Sequence, residues 1–205
     1  TFPTLLHPCA SCVHGCIPAF VHPMREMPFA PSSRARLTRH DLGRFPGDTL
    51  FDRIARAVCE AGCLPRKELF EAWEVAKRVR RLFRGGRVVD IAGGHGLLAQ
   101  VLLLLDATSP SAMVVERTIP PSAASVNEAL AVVWPRLTSQ VEFVAADLGS
   151  VALASGDLIV ASHACGALTD AVLARAIEAR ARVAVLPCCH DLEACDAGAL
   201  GGWMA

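Results

Sequence analysis

Apolar residues recur at three- and four-residue steps in one part of the chain and in short continuous runs in the next. Two helical patterns come first, one over 50–63 and a longer one that begins near Pro65. Each places its apolar residues on one face, as in a helix that packs against a core. Pro65 suits the first turn of the second helix, where an N–H is not needed. We therefore predict two helices, the second ending at Gly85-Gly86.

From residue 88 onward, short apolar runs alternate with helical patterns. The runs predict five strands, at 88–90, 112–115, 141–145, 158–161 and 183–186. The intervening patterns predict helices at 97–105, 122–133 and 170–179. This alternation predicts an α/β fold with a mostly parallel, doubly wound sheet, whose ligand binds at the carboxyl ends of the strands.

A glycine cluster follows the first predicted strand. Asp90 ends that strand, and Gly93, Gly94 and Gly96 come next, so backbone N–H groups can approach a ligand where a Cβ would clash. A dinucleotide site has its acid about 20 residues after the glycines, which disfavours an NAD-type oxidoreductase here. The observed order resembles motif I of the class I S-adenosylmethionine methyltransferases, D/E-x-G-x-G-x-G. Ala92 replaces the first glycine, and we expect this to be tolerated if the position keeps a negative φ.

Three carboxylates stand at the ends of successive predicted strands. Asp90 is beside the glycines, Glu116 follows the second strand and Asp147 follows the third. In a site for S-adenosyl-L-methionine, Glu116 would accept the ribose hydroxyls and Asp147 the adenine amino group. Asp90 would face the methionine end. For any one of these residues, an ordinary loop or helix-capping acid is the alternative.

Two clusters of histidine and cysteine follow the fourth and fifth predicted strands. The first is Ser-His-Ala-Cys-Gly-Ala-Leu-Thr-Asp at 162–170, and the second is Leu-Pro-Cys-Cys-His-Asp at 186–191. Together they resemble the tRNA acceptor-stem 2′-O-methyltransferases and related bacterial methyltransferase-domain proteins, over about 50–191. The resemblance implies a Rossmann-like class I methyltransferase in which the two clusters face each other. It also implies RNA, of a tRNA-like kind, as the partner.

Four side chains of these clusters are the candidate catalytic residues. His163 or His190 can act as the general base for a ribose hydroxyl near neutral pH. Cys188 with Cys165 would instead suit cytosine C5-methylation, in which a thiol adds to the base. The same four residues would also suit zinc, or they are structural. The Asn/Asp-Pro-Pro-Tyr motif is missing and the chain has no Tyr, which argues against methylation of adenine N6 through that motif.

Charge and composition limit the classes of partner that the chain is expected to bind. The net charge is zero, so no global basic field favours nucleic acid. Residues 66–87 nevertheless hold eight Lys or Arg against three Glu. This run is either a solvated helix face, with pairs such as Lys67 and Glu71, or a phosphate-contacting surface. No apolar run approaches the roughly 18 residues of a membrane helix, so we expect no membrane partner. Several of the nine cysteines stand at the ends of predicted strands in an α/β pattern, which favours reduced thiols and an intracellular, cytoplasmic protein, with an organellar leader as the alternative.

The chain is predicted to have three regions. These are an irregular or disordered Cys/His/Pro-rich leader at 1–46, N-terminal helices at 47–86 and the cofactor-binding core at 87–205. In the leader, Cys9, Cys12 and Cys16 with a histidine either bind zinc or are incidental. A class I sheet has two more strands after the fifth, but 15 residues follow His190. We therefore expect a truncated core, and a non-catalytic, degenerate binding module is the alternative to an enzyme.

Overall fold

The computed structural model describes residues 29–187. It contains six α-helices, which are α1 Leu50–Ala61, α2 Arg66–Leu82, α3 Leu97–Leu105, α4 Ser122–Val133, α5 Leu137–Gln140 and α6 Ala167–Ala179. It contains five strands, which are β1 Val88–Ile91, β2 Ala112–Glu116, β3 Val141–Ala145, β4 Leu158–Ala161 and β5 Arg182–Val185. Two short 3-10 helices cover Arg39–Arg44 and Leu148–Ser150. Within this part of the chain, no helix combines the length and hydrophobicity that crossing a bilayer requires.

The strands form one parallel sheet in the order β3-β2-β1-β4-β5. β1 lies at the centre, where Asp90 is in register with Val114 of β2 and Val160 of β4. The strand order reverses between β1 and β4, and ligands of open α/β sheets bind at such a switch point. The predicted Rossmann-like α/β sheet is confirmed.

Most element boundaries agree with the sequence pattern. α4 covers 122–133 as predicted, and α2 begins directly after Pro65. α6 begins three residues earlier than predicted, at Ala167, because the Thr169 N–H donates to the Gly166 carbonyl at 3.0 Å and closes the first turn there. β5 likewise begins one residue earlier than predicted, at Arg182.

The two faces of the sheet bury cores of different size. Successive strand residues point to opposite faces, so Val88 contacts the larger core while Val89 and Ile91 contact the smaller one. The larger core lies under α1 to α4, whereas α6 covers the smaller core with Val172 and Ala176. α2 packs on α3, and the first residues of α2 therefore lie close to the loop that precedes α3.

The described part of the predicted leader is packed against the helices. Leu37 and Phe45 are buried in the larger core, and Phe29 packs edge-on against Phe45 with ring centroids 5.7 Å apart. The Leu37 N–H donates to the Leu64 carbonyl at 2.9 Å. Residues 1–28, with the predicted Cys9, Cys12 and Cys16 site, lie outside the described residues.

A buried ion pair joins α2 to the end of α3, near the amino ends of the strands. The Arg80 side chain is 3% exposed, and its Nη1 lies 3.1 Å from Asp106 Oδ2. Arg80 also donates to the Leu102 carbonyl at 3.1 Å and to Ser109 Oγ at 2.8 Å. Burial opposes the charge of Asp106, but hydrogen bonds from Gly85 and Thr108 and the charge of Arg80 lower the pKa of Asp106 to about 2.

A second arginine ties the last described strand to the same end of the sheet. Arg182 Nη2 donates to the Gly85 and Gly156 carbonyls, each at 2.9 Å. Its Nη1 donates to the Arg84 carbonyl at 2.5 Å. β5 therefore completes the hydrogen bonding of loops that precede β1 and β4.

Candidate active site

The loop between β1 and α3 passes directly over a buried carboxylate. Asp90 is fully buried, and the Ala99 N–H donates to its Oδ2 at 3.3 Å. Its Oδ1 has no hydrogen-bond partner among the described residues. A Cβ on Gly93 would lie 2.7 Å from Asp90 Cγ, which is closer than real contacts allow. Glycine at 93 is therefore what lets the loop lie against Asp90.

The environment of Asp90 opposes its ionisation. Burial raises the pKa of Asp90 to about 7, with a further rise from the nearby Glu116 charge and a partial reduction by the Ala99 N–H. Asp90 therefore exchanges a proton near neutral pH. Asp90 lies beneath the loop and does not line either of the cavities at the carboxyl edge of the sheet.

Ala92 has a left-handed backbone, with φ of +54°. The condition under which alanine was expected to be tolerated here, a negative φ, is therefore not met. The loop turns over Asp90 too sharply for the usual conformation, and an L-residue held there costs about 1–2 kcal/mol relative to the favoured regions. Glycine would avoid this cost.

Glu116 faces the glycine loop. The Gly94 N–H donates to Glu116 Oε1 at 2.9 Å. The contact forms because β2 is paired with β1, with Ile91 in register with Val115, so the residue after Val115 lies beside the loop. A Cβ on Gly94 would meet open space, so the backbone here is accessible to a ligand.

Two cavities meet at the carboxyl edge of the sheet. The larger has a volume of about 660 Å³ and is lined mainly by apolar residues of β1, β2 and α6, with Glu116, Arg117, Asp147 and Arg175 as its charged residues. The smaller has a volume of about 240 Å³. Ala92 and Glu116 line both cavities. The two spaces therefore adjoin at the residue predicted to bind ribose.

Asp147 lies at the rim of the larger cavity. Its Oδ1 accepts a hydrogen bond from Arg117 Nε at 2.8 Å, and both side chains are largely exposed. Glu116 and Asp147 thus line one cavity, as the sequence predicts for two residues of one cofactor site. The salt bridge at Asp147 is not apparent from the sequence.

The smaller cavity contains a contact between a carboxylate and an imidazole that sequence reasoning missed. His95 Nδ1 lies 3.4 Å from Glu68 Oε2, and both residues line the cavity together with Ser162 and His163. The position of His95 among the loop glycines is a sequence signal for a site residue. Glu68 carries no such signal, since its approach depends on the packing of α2 against α3.

The acceptor edge is described in part. His163 is exposed and Cys165 is partly buried, both in the loop between β4 and α6. Thr169 Oγ1 donates to the Ala164 carbonyl and closes this loop. Cys188 and His190 lie outside the described residues, so the predicted meeting of the two clusters stays a prediction. Within residues 29–187, no group of three or more metal-ligating side chains is placed to hold an ion.

Most of the basic run at 66–87 contacts other parts of the protein. The predicted pair of Lys67 and Glu71 is confirmed at 3.2 Å. Intramolecular polar contacts are made by Arg66, Lys67, Lys77, Arg80, Arg84 and Arg87. Arg78 and Arg81 are exposed. The structure therefore favours the interpretation of this run as a helix face with internal ion pairs.

Comparison with known families gives one match over most of the described chain. A family model described as a methyltransferase domain matches residues 71–195. Among curated proteins, none matches the chain.

Several solved structures are similar to the chain at low identity. The M1A22 tRNA methyltransferase TrmK of B. subtilis is 21% identical with a TM-score of 0.44, over 57% of this chain and 49% of that chain. The mitomycin 7-O-methyltransferase MmcR is 22% identical with a TM-score of 0.42, over 58% of this chain and 39% of that chain. A protein of the NADB-Rossmann superfamily from Streptococcus agalactiae is 23% identical with a TM-score of 0.41, over 57% and 51%. The chain thus spans between 39% and 51% of the length of these structures.

Proposed function

The chain belongs to the methyltransferase-domain family, and from that premise we propose that it transfers the methyl group of S-adenosylmethionine to RNA. The observation that carries the cofactor assignment is the 2.9 Å hydrogen bond between the Gly94 N–H and Glu116 Oε1. It joins the glycine loop to the one carboxylate that lines both cavities with Ala92. A carboxylate beside an accessible glycine turn suits a ribose whose hydroxyls need an acceptor.

The residues of the larger cavity fit an adenosine. Ile91, Val115 and Leu148 offer apolar surface to the base. Glu116 accepts hydrogen bonds from the ribose hydroxyls, and Asp147 accepts one from the adenine amino group. When bound, S-adenosylmethionine supplies an electrophilic methyl group on a positively charged sulfur.

At the acceptor edge, His163 would take the proton of the RNA hydroxyl while that oxygen gains the methyl group and the bond between methyl and sulfur breaks, which leaves S-adenosylhomocysteine. An imidazole suits this role because one of its ring nitrogens can accept a proton. Cys165 shapes the acceptor site in this proposal, while Cys188 and His190 lie outside the described residues. RNA as the substrate class is supported by the resemblance of the motif at 163–170 to RNA-modifying enzymes.

Two measurements test the proposal in sequence. Calorimetry with S-adenosylhomocysteine and with NADH should give binding of the first alone. Glu116→Ala should weaken that binding about tenfold or more, since it removes an acceptor of charge-assisted hydrogen bonds. Glu128→Ala, at an exposed position on α4, is the matched control and should bind like the wild type. Binding of NADH, or an unchanged affinity in Glu116→Ala, would contradict the cofactor assignment.

The transfer step is then tested with tritiated S-adenosylmethionine and total RNA. Label should enter RNA with the wild type and be lost with His163→Ala, while calorimetric binding of S-adenosylhomocysteine persists. A second candidate function is a module that binds the cofactor without transferring its methyl group. The left-handed Ala92 in the glycine motif favours it, because the loop departs from the family pattern there. Binding without any labelled RNA would select this candidate.

A further inference from the structure

Glu68 and His95 place a carboxylate and an imidazole side by side in a small cavity next to the proposed adenosine site. His95 Nδ1 is 3.4 Å from Glu68 Oε2, and the two side chains come from the glycine loop and from α2. Both are more than half buried, with side-chain exposures of 25% and 34%. Glu68 precedes the stretch that matches the family model, which begins at residue 71. The pair is therefore a feature of this chain that the family match does not assign.

The remaining wall of this cavity is mostly uncharged. It is formed by loop glycines and by apolar residues such as Ala72, Leu97 and Leu98. Glu116 reaches the cavity as well, but one of its oxygens already accepts the Gly94 N–H. The cavity thus offers the Glu68 carboxylate and the His95 imidazole side by side, with Glu116 and His163 as the other titratable residues of its wall.

We infer that Glu68 and His95 bind the α-amino-acid end of the cofactor, Glu68 the ammonium group and His95 the carboxylate. This inference rests on the proposed use of S-adenosylmethionine. An α-amino acid carries one positive and one negative group on the same carbon, which matches a neighbouring carboxylate and imidazole. The Glu68 carboxylate has lone pairs for several donors, so it can hold an ammonium group while it keeps its contact with His95.

The connection between the cavities supports the assignment. A ligand whose sugar lies at Glu116 can extend from the larger cavity into the smaller one, since Ala92 and Glu116 line both. In S-adenosylmethionine the amino-acid chain leaves from the same sugar that carries adenine. Glu68 would therefore contact the amino-acid chain of the cofactor but not its base. Substitution of Glu68 should weaken the binding only of ligands that carry this chain.

Calorimetry with two ligands tests this selectivity. S-adenosylhomocysteine has the amino-acid end, whereas 5′-methylthioadenosine lacks it and is otherwise alike. The wild type should bind S-adenosylhomocysteine about tenfold or more tightly than 5′-methylthioadenosine, the effect of one charge-assisted hydrogen bond or more. Glu68→Gln and His95→Asn should each weaken S-adenosylhomocysteine binding about tenfold and leave 5′-methylthioadenosine binding unchanged.

Glu71→Gln is the matched control, because Glu71 lies one turn further along α2 and pairs with Lys67 at 3.2 Å. It should bind both ligands like the wild type. Equal affinity of the wild type for the two ligands would overturn the inference and leave the proposed function standing. So would a Glu68→Gln variant that keeps its melting temperature but loses both ligands alike. Failure of the wild type to bind either ligand would instead reject the proposed function, and this inference with it.

Discussion

Two buried aspartates lie at opposite ends of the same sheet and have opposite surroundings. Asp106, near the amino ends of the strands, accepts hydrogen bonds from the Gly85 N–H and from Thr108 Oγ1, each at 2.7 Å, and pairs with Arg80. Asp90, at the carboxyl end of β1, accepts one N–H at 3.3 Å. The pKa of Asp106 is lowered to about 2, whereas the pKa of Asp90 is raised to about 7.

The difference separates a structural from a functional end of the molecule. A buried carboxylate whose oxygens accept several hydrogen bonds stabilises the fold, and it stays ionised in the folded protein. One whose second oxygen has no donor among residues 29–187, beneath the glycine loop, fits the proposed cofactor site. The predictions below test whether the two aspartates differ in this way.

The largest effect is expected at the structural end. Asp106→Asn removes the charge that faces Arg80, whose buried guanidinium then has no counter-ion. Removing one partner of a buried ion pair costs about 3–5 kcal/mol, so the free energy of unfolding should fall by about that amount in urea titrations at pH 7. Asp48→Asn is the control, since Asp48 is fully exposed and should change the free energy by less than about 0.5 kcal/mol. Equal effects of the two substitutions would contradict the comparison.

The pH dependence of stability should differ in sign between the two residues. Asp90 binds its proton more tightly in the folded chain, so stability falls as the pH rises from about 4 to about 7. Asp106 binds its proton less tightly when folded, so its contribution is complete above about pH 4 and is lost as the pH falls towards 2.

Asp90→Asn isolates the first of these effects. It should raise the free energy of unfolding by on the order of 4 kcal/mol at pH 8 and by only about 1 kcal/mol at pH 4.5. Urea titrations of the wild type and the variant at both pH values provide the measurement. A gain of the same size at both would show that Asp90 does not titrate between them.

Gly93→Ala should damage the functional end through its contact with Asp90. The new Cβ would lie 2.7 Å from Asp90 Cγ, so the loop must shift. Overpacking of this kind costs about 1–3 kcal/mol, and the displaced loop should also lose affinity for S-adenosylhomocysteine. Gly43→Ala adds a Cβ into open space and should match the wild type in both chemical denaturation and calorimetry. Retention of full binding in Gly93→Ala would mean that the loop does not need its contact with Asp90.

The smallest effect is expected at Ala92, the residue before Gly93. Ala92→Gly restores the glycine of the motif at a position with φ of +54° and should raise the free energy of unfolding by about 1 kcal/mol. Thermal unfolding of the two proteins measures the difference. A lower melting temperature would show that the extra freedom of glycine in the unfolded chain outweighs the relief of the left-handed backbone.

The parts of the site that local sequence encodes were predicted. The strand pattern and the glycines place Glu116 beside Gly94, because paired strands bring their ends together. The φ of Ala92 was not predictable, since it depends on how the loop closes over Asp90. Arg80 stands in a run of basic residues, so its sequence context gives no sign that it is buried. Glu68 and His95 are 27 positions apart and come together only through helix packing. Such long-range contacts leave no periodic signal in the chain.

The three carbonyl contacts of Arg182 bear on how the chain folds during synthesis. Arg84 and Gly85, whose carbonyls accept two of these hydrogen bonds, are synthesised 98 and 97 residues before Arg182. A ribosome-bound intermediate that ends before β5 cannot make these contacts, although β1 to β4 are already available to pair. Final closure of the loop before β1 therefore waits for β5, and a nascent chain stalled before Arg182 should remain sensitive to proteases at residues 84–86.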